Sequence, residues 1–427
     1  MSVPKIAIIG LGYVGLPLAR LFATRYPVVG FDIKSERIAQ LKLGEDVTLE
    51  VENNLLKSVL VDDLSTKKGL FVTANVEDIQ NCNYYIVTVP TSVDENNQPI
   101  LTPLLSASKT IGGVLKKDDI VIYESTVYPG ATEEDCVPVL EKESNLLLNK
   151  DFYVGYSPER ISPGDKVRTV ENILKVTSGS TEMTAQKVDD LYKSVIKAGT
   201  HKATSIKVAE ASKIIENCQR DINIAFVNEL AKIFNLMNIN TSDVLEAAST
   251  KWNFLPFKPG LVGGHCIGVD PFYLAQKAQQ FGYYPEIILS GRRLNDSMGS
   301  HVASEVVKLM ISEDVKVKKA EILILGITFK ENCPDIRNTK VIDVYHALKS
   351  YGVSIDIYDP WAKKEEVLAE YDLQLKDDLY EKKYDAVVLT VSHNQFKELD
   401  LLKLKKENGV VYDVKNFLPQ DLINKTL

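Results

Sequence analysis

Cysteine is scarce in this chain and is not arranged for disulfides or metal binding. Only five cysteines occur among 427 residues, and no two of them form a CxxC pair. An odd number of widely spaced thiols does not build the disulfide framework of a small secreted protein. We therefore expect a chain kept in a reducing cytoplasm, with no metal centre. The cysteines are Cys82, Cys136, Cys218, Cys266 and Cys333.

An excess of positive charge and a long apolar run are also missing. Lys and Arg number 50 against 58 Asp and Glu, which gives a net charge of -8. Nucleic acid is therefore not an expected partner, and an anionic ligand must be held by local cations. No apolar run is long enough to span a membrane. The apolar stretch 6–19 contains three regularly spaced glycines and no A-x-A cleavage site, so we do not expect a secretory leader.

The run Lys5–Asp32 carries the first motif with a clear function. A predicted buried strand leads into Gly10-Leu-Gly12-Tyr13-Val14-Gly15, then a helical segment and a second strand that ends in Asp32. A GxGxxG turn between strand and helix is typical of a dinucleotide site, with pyrophosphate at the helix N-terminus. Asp32 favours NAD over NADP, because its carboxylate accepts ribose hydroxyls and repels a 2′-phosphate. Lys34 and Arg37 weaken that preference, unless they only begin a solvated helix.

Polar residues follow further predicted strands of the same sheet. Ligands bind beyond the carboxyl ends of strands in such sheets, so Thr91 and Thr126 are candidate contacts for cofactor or substrate. The alternative is that both residues cap the helices that follow. The loop 156–164 places Glu159 and Arg160 between prolines on the same rim.

The segment Ile206–Asn238 contains neither Gly nor Pro and predicts one helix of about 30 residues. Lys213, Asn217 and Arg220 stand at i, i+4 and i+7, so they project from one face. A lysine there can lower the pKa of a nearby thiol and stabilise an oxyanion; the alternative is a solvated polar stripe. Apolar residues surround the helix over 222–237, which predicts burial between domains or between subunits.

The segment Pro259–Pro271 holds four glycines around a single thiol, Cys266, and Asp270 follows four residues later. Glycines allow sharp turns and the close approach of a substrate. A deprotonated thiol attacks a carbonyl carbon readily. The segment therefore predicts a nucleophile loop; the alternative is a tight turn around a buried cysteine.

A second strand–turn–helix–strand pattern occupies the C-terminal part of the chain. Its first strand ends at Gly326 and its second ends in Asp359. The glycine-rich turn is missing, and Lys330 and Arg337 stand in its place, which favours a different nucleotide whose phosphates are held by side chains. The charged run Lys376–Lys383 predicts a solvated helix rather than a binding surface.

Together these residues resemble the UDP-sugar 6-dehydrogenase superfamily, which includes UDP-glucose and GDP-mannose dehydrogenases. The resemblance covers essentially the whole chain through GLGYVG, VPTS, ESTVYPG, SPERISPG, KIIENCQR, GLVGGHCIGVDP and FKENCPDIRN. WNFLPFKPG and GRRLND are most similar to the UDP-N-acetylhexosamine 6-dehydrogenases of bacterial Vi-type capsule and O-antigen synthesis.

The resemblance implies an α/β fold with two Rossmann-like domains joined by a long-helix dimerisation domain. We expect an NAD-binding domain over 1–200, a helical dimerisation and catalytic domain over 201–312, and a UDP-sugar-binding domain over 313–427. The resemblance further implies NAD as cofactor, a UDP-N-acetylhexosamine substrate (GlcNAc or GalNAc) and a homodimer formed through the central helix. No nucleic-acid or membrane partner is expected.

The chemistry implied by the resemblance oxidises the sugar C6 alcohol to a carboxylate, with two NAD consumed. Cys266 would attack the aldehyde, the thiohemiacetal would be oxidised, and water would hydrolyse the thioester. Lys213 and Asn217 would stabilise oxyanions, and three other side chains would orient the water. The implied catalytic residues are Cys266, Lys213, Asn217, Asp270, Thr126 and Glu159.

The resemblance also implies two sets of binding residues. The cofactor contacts would be Gly10, Gly12, Tyr13, Val14, Gly15, Asp32, Arg37, Thr91, Thr126 and Arg337. The substrate contacts would be Arg160, Ile161, Lys213, Asn217, Arg220, Lys258, Gly263, Phe329, Lys330 and Lys415. Members often carry an arginine that reaches a neighbouring subunit's substrate, whereas this chain has Lys251-Trp252-Asn253 there. Whether this chain makes such a cross-subunit contact is left undecided by its sequence.

Other functions remain as alternatives. The sugar could be ManNAc or plain glucose in place of GlcNAc or GalNAc. A two-electron dehydrogenase of the β-hydroxyacid type shares the N-terminal fold, but it needs neither the Cys266 loop nor a second nucleotide domain. A sugar-nucleotide sensor without turnover is disfavoured by the intact set of Lys213, Cys266 and Asp270.

Overall fold

The computed structural model describes residues 4–63, 67–161, 167–264 and 267–427. The chain divides into two compact units. The first comprises Met1–Glu216 and Phe272–Gly282, and the second Asn217–Pro271 and Tyr283–Leu427. The domain boundaries predicted after residues 200 and 312 stay predictions. None of the helices in the described ranges combines the length and the apolar composition needed to cross a membrane.

The first unit is an α/β fold. Its strands are β1 (Ile6–Ile9), β2 (Pro27–Phe31), β3 (Gly69–Thr73), β4 (Tyr84–Val87), β5 (Ser92–Val93), β6 (Pro99–Ile100), β7 (Ile120–Tyr123), β8 (Tyr153–Tyr156), β9 (Lys175–Gly179) and β10 (Thr200–Lys202). Its helices up to residue 193 are α1 (Gly15–Ala23), α2 (Ser35–Lys42), α3 (Asn53–Lys57), α4 (Thr102–Gly112), α5 (Val137–Ser144) and α6 (Glu182–Lys193).

Eight of these strands form one sheet in the order β10-β9-β8-β7-β4-β1-β2-β3. Neighbouring strands are parallel except at the β8–β9 pair. All residues of β1 and β7 are buried, as expected of parallel strands covered on both faces. The chain order reverses between β1 and β4, which is the point where doubly wound sheets bind ligands.

Helices dominate the middle of the chain. They are α7 (Ile206–Leu236), α8 (Thr241–Ser249), α9 (Asp270–Gln280), α10 (Glu286–Asp296) and α11 (Met298–Ser312). The predicted long helix is confirmed and ends at Leu236 rather than at Asn238. Phe226, Ile233 and Leu236 on its second half remain 43–86% exposed, so the apolar surface of this helix is not covered within one chain.

The second unit carries the second Rossmann-like domain. Its strands are β11 (Glu321–Leu325), β12 (Ser354–Tyr358), β13 (Tyr384–Leu389), β14 (Lys405–Asp413) and β15 (Lys425–Thr426). Its remaining helices are α12 (Val341–Ser350), α13 (Lys364–Tyr371) and α14 (Leu401–Leu404). The sheet is parallel in the order β12-β11-β13-β14-β15, which repeats the order β2-β1-β4-β7-β8 of the first sheet.

The repeat extends to the turn after the first strand of each sheet. Gly10 and Gly326 both have positive φ, +96° and +94°. The Thr88 hydroxyl donates to the Gly10 carbonyl at 2.8 Å, and the Thr390 hydroxyl donates to the Gly326 carbonyl at 2.7 Å. The prediction of two Rossmann-like domains with a helical region between them is confirmed.

The helix predicted over Lys376–Lys383 is wrong. That segment is irregular and leads from α13 into β13. The side chain of Lys382 pairs with Glu321 at 2.7 Å and with Asp356 at 3.1 Å, so its charge is used on β11 and β12. These ion pairs hold Lys382 against the two strands, whereas the predicted helix would have placed its charge in solvent.

Candidate active site

The glycine-rich turn joins β1 to α1 in the first unit. A Cβ at Gly15 would lie 1.8 Å from the Gly10 carbonyl oxygen, so only glycine allows this close packing. A Cβ at Gly12 would meet no atom of the described residues within 4 Å, which leaves open space beside the turn that includes Tyr13. Val14 is the N-cap of α1, and no described side chain caps the first turn. The turn therefore offers room and backbone donors to an anion.

Asp32 and Arg37 border this turn. Asp32 accepts the Leu11 N–H and the Lys34 N–H, both at 2.9 Å. Arg37 is only 8% exposed; its Nε donates to the Leu11 carbonyl at 3.0 Å and its Nη2 contacts Asp46 at 2.8 Å. The alternative of a solvated helix start is therefore wrong for Arg37. Its buried Nη1 has no hydrogen-bond partner among the described residues, which fits a dinucleotide against the turn.

Thr91 and Thr126 lie past the ends of β4 and β7. The Thr91 hydroxyl donates to the Thr126 carbonyl at 2.8 Å, and the Ser125 hydroxyl donates to the Val89 carbonyl at 2.6 Å. These bonds tie the two strand ends together. Neither threonine is the N-cap of a helix, so the capping alternative is wrong. Both residues lie at the carboxyl edge of the sheet, as does the glycine-rich turn.

Glu159 is held by a buried charged network that the sequence analysis missed. Its carboxylate accepts the N–H groups of Arg160 and Ile161 at 2.5 and 2.6 Å. The Lys175 Nζ lies 3.3 Å from Glu159 and 2.6 Å from Glu124. Burial raises the pKa of Glu124 to about 7, and the attraction of Lys175 opposes that rise. The signal in the sequence was Glu124 itself, an acid directly after a buried strand.

The side chain of Arg160 is already engaged within the first unit. Its Nη2 lies 2.6 Å from Glu216, and its Nη1 donates to the Leu174 carbonyl at 3.0 Å. Ile161 is partly buried against the core of the first unit. An anionic ligand at Arg160 would therefore compete with Glu216.

The polar face of α7 is buried where catalysis was predicted. Lys213 is 8% and Asn217 3% exposed, so the alternative of a solvated stripe is wrong for both. Arg220, one turn further, is exposed. In the second unit the Asn217 amide donates to the carboxylate of Asp270, which is 3% exposed. This brings together two of the predicted catalytic residues.

Glu210, one turn before Lys213, is a further buried acid that the sequence analysis missed. Its carboxylate accepts the N–H groups of Gly130 at 2.5 Å and Thr132 at 2.9 Å. Both donors belong to the segment that follows Thr126. Burial raises the pKa of Glu210 to about 7, and the two backbone hydrogen bonds oppose that rise. Glu210 therefore anchors this segment to α7.

The predicted nucleophile Cys266 lies outside the described residues, as does His265. The glycines beside it pack against the segment 328–338. A Cβ at Gly263 would lie 2.4 Å from the Asn338 carbonyl oxygen, and one at Gly264 would lie 2.8 Å from the Phe329 ring. Gly263 and Gly264 are therefore required for packing against this segment, and the predicted room for a substrate beside the Cys266 sulfur stays a prediction.

Lysines surround the corresponding edge of the second sheet. Lys330, Lys340 and Lys415 line a small cavity with Thr328 and Thr339. Burial lowers the pKa of Lys415. The net charge of the chain is negative, so an anionic ligand requires a local cluster of cations, and these three lysines form one.

A larger cavity of about 390 Å³ shares Lys415 and is also lined by Lys258, which is exposed. Arg337 is not among the residues that line these two cavities, and its guanidinium is bound to Asp335 at 2.6 and 2.8 Å. Throughout the described ranges, no three His, Cys, Asp or Glu side chains cluster in a way that could hold a metal ion.

The fold and these residues define a class. A glycine-rich turn followed by an acid on one parallel sheet, and a lysine-lined edge on a second, are typical of a dehydrogenase with two nucleotide-binding domains.

Comparison with known proteins narrows this class. The description "UDP-glucose/GDP-mannose dehydrogenase family, NAD binding domain" matches residues 4–196. The central domain of the same family matches 207–297, and its UDP binding domain matches 323–420.

Full-length relatives agree. A UDP-N-acetyl-D-glucosamine 6-dehydrogenase of Pseudomonas aeruginosa is 57% identical over 98% of both chains. A protein of the same name from Salmonella typhi is 55% identical over 98% of this chain and 97% of its own. The solved UDP-D-ManNAc dehydrogenase of Pyrococcus horikoshii superposes with a TM-score of 0.88 at 29% identity, covering 99% of this chain and 98% of that one. The chain belongs to the UDP-glucose/GDP-mannose dehydrogenase family. It is an NAD-dependent oxidoreductase, and the resemblance found in its motifs is confirmed.

Proposed function

We propose that this protein is a UDP-N-acetylhexosamine 6-dehydrogenase that oxidises the C6 alcohol of UDP-GlcNAc or UDP-GalNAc to a carboxylate. The observation that carries this proposal is full-length identity of 57% and 55% to two proteins named UDP-N-acetyl-D-glucosamine 6-dehydrogenase. The motifs WNFLPFKPG and GRRLND support it. UDP-ManNAc and UDP-glucose are the alternative substrates.

The cofactor is held by the first sheet. The turn Gly10–Gly15 binds the pyrophosphate through backbone N–H groups, and Asp32 accepts the ribose hydroxyls. The Nη1 of Arg37, which has no partner in the described part of the chain, completes the site together with Thr91 and Thr126 at the strand ends. NAD bound there would supply the hydride acceptor for each of the two oxidations at the sugar carbon. Arg337, which is paired with Asp335, reaches the cofactor only if that pair opens.

The residues of the chain divide the remaining chemistry. Cys266 would add as a thiolate to the aldehyde that remains after the first hydride transfer to NAD, which gives a thiohemiacetal. This adduct would lose a second hydride to a second NAD and become a thioester, which water would cleave to the carboxylate and the thiolate. Lys213 and Asn217 stabilise the oxyanions. Asp270, bonded to Asn217, orients the water together with Thr126 and Glu159.

The UDP-sugar is held by the cations of the second sheet and by the rim loop. Lys330, Lys415 and Lys258 neutralise the diphosphate. Arg160 and Arg220 offer donors to the acetamido oxygen, which glucose lacks at C2. Arg160 would have to leave Glu216 to make this bond, and a substrate without the acetamido group would lose a hydrogen bond that contributes about 1–3 kcal/mol. Gly263, Phe329 and Ile161 shape the walls of the site.

The test is kcat/KM with NAD for UDP-GlcNAc, UDP-GalNAc, UDP-ManNAc and UDP-glucose, measured side by side. We expect the first two to lead, with two NADH formed per sugar and no free aldehyde. A lead for UDP-glucose would reject the N-acetylhexosamine assignment. One NADH per sugar would reject the thioester and favour the β-hydroxyacid type. Binding without turnover would favour the sensor.

The proposal also covers the oligomeric state and the cellular compartment of the protein. The protein forms a homodimer through α7, and the exposed side chains of Phe226, Ile233 and Leu236 are buried in the dimer interface. It works in the cytoplasm, where sugar nucleotides are made for surface polysaccharides. Its partners are the UDP-sugar and a second copy of itself.

A further inference from the structure

A buried histidine lies at the same edge of the second sheet as the lysine-lined cavity, and the proposed function gives it no role. His393 follows β13 and is 0% exposed. Its Nδ1 accepts the backbone N–H of Asn332 at 2.9 Å. Its Nε2 lies 3.0 Å from the Asp359 carboxylate and 3.1 Å from the Thr328 hydroxyl. His393 therefore bridges the ends of β11 and β12 to the segment 328–338.

These partners fix the tautomer. Since Nδ1 accepts from Asn332, the ring proton lies on Nε2 and is donated to Asp359. Thr328 donates its hydroxyl to the Lys330 carbonyl at 2.9 Å, so its oxygen can accept from the ring. The Nε2 side of the imidazole thus contacts both Asp359 and Thr328, and its Nδ1 side contacts the backbone of Asn332.

Asp359 follows the second strand of its sheet, as Asp32 does in the first sheet, but the two carboxylates make different contacts. Asp32 is half-buried at the edge proposed for ribose, whereas Asp359 is 7% exposed and turned inward. Its carboxylate accepts the N–H groups of Ile327 at 2.6 Å and Trp361 at 2.7 Å in addition to the His393 proton. This acid orients a histidine rather than binding a sugar hydroxyl.

The segment that His393 holds contacts the glycines of the nucleophile loop. Gly264 donates its N–H to the Asn338 carbonyl at 3.0 Å, and the Asn338 amide donates to the Gly264 carbonyl at 2.9 Å. The Phe329 ring closes over Gly264. Gly264 stands two residues before Cys266 in the sequence.

We propose that His393, oriented by Asp359, is a positioning residue for the UDP-sugar site. It fixes the backbone that carries Phe329 and Lys330, and through Asn338 it fixes Gly264. This inference rests on the proposed function, because it assumes that Lys330 binds the UDP-sugar. Loss of the bond to Asn332 should weaken UDP-sugar binding while leaving NAD binding unchanged.

Two conservative substitutions distinguish the contribution of Nδ1 from that of Nε2. In His393→Asn the side-chain oxygen takes the place of Nδ1 and can still accept from Asn332. In His393→Gln the terminal amide takes the place of Nε2 and reaches Asp359 instead. We expect His393→Gln and His393→Ala to raise KM for UDP-GlcNAc about tenfold and His393→Asn about threefold or less. KM for NAD should stay within about twofold in all three.

The control is Phe396→Leu, which alters a buried ring 5.4 Å from His393 that makes no side-chain hydrogen bond. It should lower the melting temperature without changing KM for the UDP-sugar. Calorimetric binding of UDP alone should follow the same ranking as KM, whether or not the enzyme turns over.

Equal effects of His393→Asn and His393→Ala, or a rise of KM for NAD in step with that for the sugar, would overturn the positioning role. If His393→Ala does not fold, the comparison of the Asn and Gln variants decides. A wild-type protein that oxidises no UDP-sugar would reject the proposed function, whereas the ranking of UDP affinities would still support or overturn the role of His393.

Discussion

At the scale of single residues, four of the five thiols lie among the residues that the structure describes. Cys82, Cys136, Cys218 and Cys333 are all buried. Burial raises the pKa of each of the first three to about 12, which keeps them protonated near neutral pH. A buried, protonated thiol is a poor nucleophile.

The first prediction concerns thiol reactivity. Iodoacetamide near pH 7.5 should alkylate Cys266 alone, and activity should fall in proportion, because the four described thiols are buried and burial raises the pKa of three of them. Peptide mass spectrometry locates the label, and UDP-sugar should protect against it. Labelling of Cys82 or Cys136 before Cys266 would contradict the assignment of the nucleophile.

Glycine packing is also decided residue by residue. Gly264 and Gly352 both have positive φ, +82° and +75°, which disfavours a side chain at either position. A Cβ at Gly264 would lie 2.8 Å from the Phe329 ring, whereas a Cβ at Gly352 would have no atom within 4 Å in the ranges that the structure describes.

The second prediction compares these two positions. Gly352→Ala should cost about 1 kcal/mol of stability through backbone strain alone. Gly264→Ala should cost about 1–3 kcal/mol more and raise KM for the UDP-sugar, because Phe329 must move. Denaturant titration and steady-state kinetics measure both effects. Equal costs at the two positions would show that the packing against Phe329 is unimportant.

At the scale of elements, α7 is tied to the segment after β7 by one buried carboxylate. Burial raises the pKa of Glu210 from 4.5 to about 7. The folded protein therefore holds this proton more tightly than the unfolded chain. The resulting stabilisation is fully present below about pH 4.5 and is lost as pH rises through about 7.

The third prediction concerns Glu210→Gln, which cannot titrate. The variant should be less stable than wild type near pH 5, because an amide group replaces one of the two acceptors. The difference in unfolding free energy should shrink between about pH 5 and pH 8, by about 3 kcal/mol at most. Urea unfolding at several pH values measures it. A difference that stays constant or grows with pH would contradict the raised pKa.

At the scale of the whole molecule, the second half of α7 leaves an apolar stripe in water. Phe226, Ile233 and Leu236 are 53%, 43% and 86% exposed. Their spacing of i, i+7 and i+10 keeps them on one side of the helix. An apolar stripe of this kind on a long helix is typical of an interface.

The fourth prediction is that Ile233→Glu gives a monomer. A buried, unpaired carboxylate at each copy of the interface opposes association. Light scattering after size exclusion measures the mass. Leu402→Glu, at a residue on α14 that is 61% exposed, is the matched control and should leave the assembly unchanged. A wild-type monomer, or a dimer that survives Ile233→Glu, would reject the proposed interface.

Much of this molecule follows from local sequence. The strand before Gly10, the close packing at Gly15 and the acid at Asp32 lie within 32 residues, so their spacing in the chain specifies their arrangement. The same holds for Lys213 and Asn217, since helical geometry alone places them on one face. Periodicity and turn chemistry act over a few residues, and a sequence displays them directly.

Tertiary structure alone decided the rest. Glu124 and Lys175 are 51 residues apart, and His393 lies 61 residues from Asn332. The burial of Arg37 and the contact of Gly264 with Phe329 likewise depend on segments brought together by the fold. A buried charge or ring is stable only beside a specific partner, and which distant segment supplies that partner is set by how the sheets pack and not by spacing along the chain.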